Sequence, residues 1–216
     1  HRLIRRQRQM CIRDRTCIVY FTGIGCPHCA KTDPVIFEDL VNRYNLTIIE
    51  YEIYQTPGNG EIMWQYDSTY HTGLGIPLVI FDETKYIIGD LPILQNIENK
   101  INELKANQCL LLDKKVYPED LDLNELPGNP KIWVKDRVLV KGNTYLSPEI
   151  AKKLLYEKDF LSILKKFELE KANPCMPYSG GKVCFEHAVK FNQDWVFAWN
   201  GEGLNVSAEA STPTLP

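Results

Sequence analysis

The stretch "TGIGCPHCAKTDP", Thr22 to Pro34, sets two cysteines, Cys26 and Cys29, around a proline and a histidine. Such a pair is a redox switch, half of a metal site or chance, and its flanks decide among them. Before it, "CIVYF" (17–21) is a short apolar, β-rich run that reads as a buried strand. After it, "AKTDPVIFEDLVNRY" places Val35, Ile36, Leu40 and Val41 on one helical stripe, with a kink expected at Pro34. The cysteines therefore fall where a strand gives way to a helix.

Working outward, "LTIIEYEIY" (46–54) predicts a second strand and "GEIMWQYDSTY" (60–70) a helix, followed by the glycine-broken loop "HTGLG". "PLVIF", a turn at "DETK" and "YIIG" predict a hairpin, and 91–108 closes with an amphipathic helix carrying Leu94, Ile97, Ile101 and Leu104. The order is β-α-β-α-β-β-α: a parallel pair from a βαβ unit, then an antiparallel hairpin, with helices covering the sheet. Beyond residue 108 the pattern predicts a small α+β region. It holds a hairpin in "LPGNPKIWVKDRVLVKGN", one or two helices over 147–168 with Ser147 as cap and Pro148 at the first position, and final strands in "KVCFEHAVKF" and "WVFAWNG". Residues 109–205 read as an accessory region and 206–216 as a linker-like tail.

Composition is that of an ordinary globular chain, 44% hydrophobic and 25% charged, which excludes disordered and fibrous classes. Six of the arginines (Arg2, Arg5, Arg6, Arg8, Arg13, Arg15) lie in the first fifteen residues, so the body carries an acidic excess. That body has no basic patch to attract nucleic acid. The arginine-rich start lacks the apolar segment of an export signal. Its run "MCIRDR" reads as a translated sequencing-adapter end, so residues 1–15 are set aside from the fold. No run of 18 apolar residues exists, and no membrane-spanning segment is expected.

A cysteine attacks as thiolate, and the start of a helix favours that charge through its unpaired amides and macrodipole. Cys26 lies at such a start, with Pro27 suited to the first turn. Cys29, one turn later, is within reach of a mixed disulfide formed at Cys26. Cys26 is thus the attacking thiol and Cys29 the resolving one. A partly protonated His28 beside Cys26 is expected to favour the thiolate further and make the disulfide more oxidising. Potentials of such pairs run from about −270 to about −120 mV. The metal alternative needs two more ligands, and His71 and His187 offer no matching Cys-x-x-Cys or His-x-x-x-His spacing, so no metal is expected.

Together these residues resemble the thioredoxin superfamily over about 16–108. The likeness rests on the strand, the Cys-Pro-His-Cys motif, Pro34 five residues after the second cysteine, and "GIP" (Gly75, Ile76, Pro77) before an apolar strand. The resemblance implies a three-layer thioredoxin-like core with a cis-proline loop, in which Pro77 faces the cysteine pair and Gly75, Ile76 and Pro77 bind substrate chain. The element order is similar to the compact glutaredoxin-like core, and the Pro-His pair is similar to that of DsbA-type disulfide oxidases. Tyr20 occupies the place of the buried acid that thioredoxins carry on the first strand. "IIGD" (87–90) partly matches the glutathione-binding segment of glutaredoxins, so glutathione is a candidate co-substrate; no other cofactor than the cysteine pair is implied.

The function expected is a thiol:disulfide oxidoreductase acting on protein thiols and disulfides outside the cytoplasm. Its resemblance to domains attached to membrane electron-transfer proteins suggests such a partner. The alternatives are a cytoplasmic, glutathione-dependent reductase and a non-enzymatic metal-binding or adaptor module. Setting Cys11 aside leaves six cysteines, an even count that fits an oxidising compartment. Cys175 and Cys184 flank the turn-rich "MPYSGGKV" and are candidates for a structural disulfide. Cys17 and Cys109, at the sheet end opposite the motif, are candidates for another, against a buried free Cys17.

Overall fold

A computed structural model describes residues 15–104, 106–141, 146–191 and 195–206. The adapter reading of 1–15 and the linker reading of 206–216 lie outside the described residues except at Arg15 and Val206.

The run read as a buried strand forms β1 (Thr16–Thr22), buried at every position. Cys17, Val19 and Phe21 enter one apolar core while Ile18 and Tyr20 enter another, as the two-residue period of a strand requires. Burial on both faces is why the sequence shows a continuous apolar run instead of alternation. Helix α1 follows, continuous through an α-helical turn (Cys29–Pro34), a π-helical segment (Val35–Leu40) and a last turn (Val41–Arg43). Pro34 has no amide to give to the carbonyl of Ala30, and the helix widens directly after it; the expected kink takes this form.

Strand β2 (Leu46–Glu52) runs parallel to β1, from Thr16 opposite Leu46 to Thr22 opposite Glu52. Helix α2 (Asn59–Tyr70) leads to β3 (Leu78–Asp82), antiparallel to β1 on its other side, and to its hairpin partner β4 (Lys85–Ile88). Helix α3 (Asp90–Leu104) follows. The sequence carried this helix to 108, but Asn107 ends it. Its side chain accepts from Cys17 N at 2.7 Å and donates to the carbonyls of Cys17 and Phe81, bridging β1 and β3.

After a short ribbon, β5 (Cys109–Leu110) with β6 (Lys115–Val116), strand β7 (Lys131–Val134) pairs antiparallel with β2, and β8 (Arg137–Val140) with β7. Helices α4 (Pro148–Tyr156) and α5 (Phe160–Leu164) come next, the first capped by Ser147, whose hydroxyl accepts from Ile150 N. The last strands are β9 (Leu169–Lys171), β10 (Cys175–Tyr178), β11 (Gly181–Cys184), β12 (His187–Phe191) and β13 (Trp195–Trp199). "KVCFEHAVKF", read as one strand, is therefore two, in different sheets. The main sheet has nine strands in the order β4-β3-β1-β2-β7-β8-β13-β12-β9, while β10 and β11 form a separate hairpin. The protein is thus a mixed α/β structure built on one large mixed sheet. One core holds residues of α1 and α3, the other residues of α2, α4 and α5, so helices cover both faces.

A buried carboxylate needs partners to offset its desolvation. Glu50 of β2 finds them on β7, where Lys131 Nζ lies 3.0 Å from one oxygen and the Trp133 indole N–H donates to the other. Both candidate disulfides form: Cys17–Cys109 ties β1 to β5, and Cys175–Cys184 joins directly opposed residues of β10 and β11.

Candidate active site

Among the described residues, the two cysteines outside the disulfides are Cys26 and Cys29. Strand β1 ends at Thr22, and Gly23 turns the chain: Cys26 N donates to Gly23 O at 3.0 Å. A side chain at Gly23 would come within 2.8–2.9 Å of the Tyr54 ring and the tip of Ile76, so anything larger than hydrogen must displace one of them. Helical bonding begins at Cys26, whose carbonyl accepts from Ala30 N at 3.0 Å, and the Cys29 amide donates to Cys26 Sγ at 3.2 Å. Cys26 thus caps the first turn of α1 with its sulfur, placing that atom on the amide of Cys29. Cys26 is 4% exposed and Cys29 fully buried.

The Ile76–Pro77 peptide is cis. Leu78, next in the chain, stands opposite Phe21, so this loop enters the sheet beside the strand that delivers the cysteines. Ile76 reaches the site at Gly23, and Gly75 packs under Ile88. The Pro77 carbonyl accepts from Gly89 N at 2.9 Å, which places Asp90 at the start of α3 beside the same loop. Asp90 carries the contacts of His28: His28 Nδ1 lies 3.2 Å from one carboxylate oxygen and Lys31 Nζ 2.6 Å from the other. The Lys31 ammonium, with His28 in support, holds the Asp90 carboxyl down at about 2. The imidazole, placed by the sequence beside Cys26, is therefore anchored on α3, and the donor at the Cys26 sulfur is the Cys29 amide.

Two further carboxylates, Asp33 and Glu52, and the hydroxyls of Tyr20, Thr22 and Ser179 shape the site; of these only Tyr20 was singled out from sequence. Asp33, one turn after Cys29, is fully buried and accepts from Tyr20 at 2.5 Å, Thr22 at 2.8 Å and the Ser179 amide at 3.1 Å. Burial pushes its carboxyl up to about 6 against the pull of those hydrogen bonds. Burial likewise pushes the Cys29 thiol well up, reinforced by the Cys26 sulfur; a hydrogen bond with Thr22 opposes it. Glu52, at the end of β2, accepts from Ile24 N and Tyr54 N on one oxygen and from Gln55 N, Thr56 N and the Thr56 hydroxyl on the other. Burial raises that carboxyl, but the bonds outweigh it and its pKa is lowered. The strand read as reaching 54 stops at Glu52 because that carboxylate folds the following turn around itself. Ser179, in the β10–β11 turn, donates its hydroxyl to Cys26 O at 2.6 Å.

The signals for these residues were present but quiet. Asp33 is four residues after Cys29, on the helix face turned to the sheet, while Tyr20 and Thr22 share one face of β1. The Asp of "IIGD" is Asp90, held by His28 and Lys31. Among the described residues no group of three or more His, Cys, Asp or Glu is set to hold a metal, and no helix is long and apolar enough to cross a membrane. No family model, curated protein or solved structure matches the chain.

Proposed function

We propose that the chain is a thiol:disulfide oxidoreductase with a thioredoxin-like core, exchanging disulfides with protein thiols through Cys26 and Cys29. The observation that carries this reading is the amide of Cys29 donating to Cys26 Sγ at the open first turn of α1, an arrangement that favours a thiolate. The cis peptide before Pro77, next to the cysteine strand, supports it as a place for substrate backbone.

In the reaction, the Cys26 thiolate attacks one sulfur of a substrate disulfide, forming a mixed disulfide and releasing the other sulfur as thiolate, which takes a proton. Cys29 then attacks Cys26 Sγ, the substrate's second sulfur leaves, and two electrons have passed from the chain to the substrate. The opposite direction runs through the same steps in reverse. Cys29 must lose its proton to attack, and burial resists this. We assign that proton to the buried Asp33 carboxylate, one helical turn beyond Cys29 and titrating at about 6 with the Thr22 hydroxyl bonded to it, which returns it when the leaving thiol needs one. Tyr54, more than half exposed and packed on Gly23, forms the rim that substrate meets.

Two disulfides away from the site support a setting outside the cytoplasm. The pairing of Asp90 with His28 and Lys31 leaves no free carboxylate in "IIGD" for glutathione, which favours protein substrates. The test is direct: Cys26→Ser abolishes turnover, whereas Cys29→Ser accumulates mixed disulfides on Cys26, read by mass spectrometry. Turnover retained by Cys26→Ser would end the assignment. A midpoint potential above about −230 mV would assign the oxidising direction, and one well below it the reducing direction.

A further inference from the structure

The hairpin β10–β11 shares no ladder with the main sheet; a two-stranded hairpin alone is marginal in water, and this one is held against α1 by the buried Met176 and Tyr178. Its open end is closed by the bond between Cys175 and Cys184, which face each other in register. Its turn lies on the active site: Ser179 donates its hydroxyl to Cys26 O and its amide to Asp33 Oδ2. Beside it, a Cβ on Gly180 would come within 2.8 Å of Ala30 O, the carbonyl to which Pro34 has no amide to give. The two disulfides differ in access. Cys17 and Cys109 are buried, whereas Cys184 is exposed and lines a groove of about 300 Å³ with Phe37, Trp133, Lys182 and Phe185.

We propose that Cys175–Cys184 is a second thiol–disulfide site, whose substrate is a dithiol and whose opening frees the hairpin turn from Cys26 and Asp33. The inference rests on the reading of Cys26 as the attacking thiol. One thiolate of the dithiol attacks Cys184 Sγ; the bond to Cys175 breaks and Cys175 leaves with the electron pair and takes a proton. The dithiol's second sulfur then displaces Cys184, which is protonated in turn. The donor becomes a disulfide, having lost two electrons, and the hairpin holds two thiols. Without the cross-link the segment regains the chain entropy that the bond removed, which weakens the hold of its turn on α1.

The test uses the full chain, exposed to rising dithiothreitol, then alkylated and mapped by mass spectrometry. Cys175 and Cys184 are expected to become alkylated at a dithiol concentration that leaves Cys17–Cys109 intact. In that state Cys26 is expected to react about tenfold faster than in the fully cross-linked chain, the scale of losing two hydrogen bonds. Ser179→Ala, which keeps the disulfide, is expected to give part of that rise without reductant. Equal reduction thresholds for the two disulfides would overturn the proposal, as would an unchanged Cys26 rate once the hairpin is open. Alkylation needs no turnover, so gating of Cys26 in a chain without exchange activity would fail the proposed function alone.

Discussion

Asp33 is the residue on which stability and chemistry pull in opposite directions. Folding raises its carboxyl from an ordinary 3.8 to about 6, so the folded chain binds that proton more tightly than the unfolded chain. The stability this contributes is fully present below about pH 4 and is lost as pH rises through 6, an effect of about 3 kcal/mol. Asp33→Asn is expected to flatten that part of the profile, seen as a smaller difference between urea midpoints at pH 4 and pH 8 than in the parent. The same change removes the proton acceptor behind Thr22. Resolution of a mixed disulfide at Cys26 is then expected to slow by about 10²-fold and to lose its rise through pH 6, measured by stopped-flow mixing. An unaltered pH profile would show that Cys29 loses its proton elsewhere. The sequence pointed to Cys26, Cys29 and Pro77 because motif and spacing mark them. Asp33 escaped because the resemblance directs attention to an acid on the first strand, where Tyr20 stands. The acid comes instead from α1, and Tyr20 hydrogen-bonds to it.

At the scale of elements, the turn that carries Cys26 is held less by its own residues than by the end of β2. Glu52 binds amides on both sides of the site, at Ile24 and at Tyr54 to Thr56. Glu52→Gln keeps the shape but sets an amide group against backbone donors. It is expected to cost about 2 kcal/mol, read as a lowered thermal midpoint, and to raise the alkylation rate of Cys26. A variant as stable as the parent would mean that the turn is held by other contacts. Element types in the first half were legible because their periods are strong: the alternation in β2, the stripe of α3, the hairpin around "DETK". Their ends were not, because tertiary bonds set them, Glu52 closing β2 and Asn107 closing α3. The partners of Asn107 lie far away in sequence, and Glu52 joins the turn after it to Ile24, 28 residues earlier, so no local pattern announces either end.

Across the whole molecule, strands β7, β8, β9, β12 and β13 continue the sheet whose strand β1 leads to the cysteines, through the pairing of β7 with β2. That pairing was invisible in the sequence, since its anchor joins Glu50 to Lys131 and Trp133, more than 80 residues apart. Trp133 also stacks on Phe37 of α1 with ring centroids 4.6 Å apart, so the later strands buttress the helix that carries Cys29. Trp133→Ala is expected to cost about 3–5 kcal/mol, with far-UV circular dichroism and Cys29 alkylation losing structure in one coincident transition. Protection of Cys29 outlasting the main transition would show that the two halves unfold separately. The central claim, a redox couple at Cys26 and Cys29, is tested most directly by equilibrating the full chain across dithiol/disulfide buffers and mapping every cysteine after alkylation. The account predicts that Cys26 and Cys29 pass together between thiols and a mutual disulfide as one two-electron couple. Cys26 remaining reduced and unreactive across the whole range would contradict it.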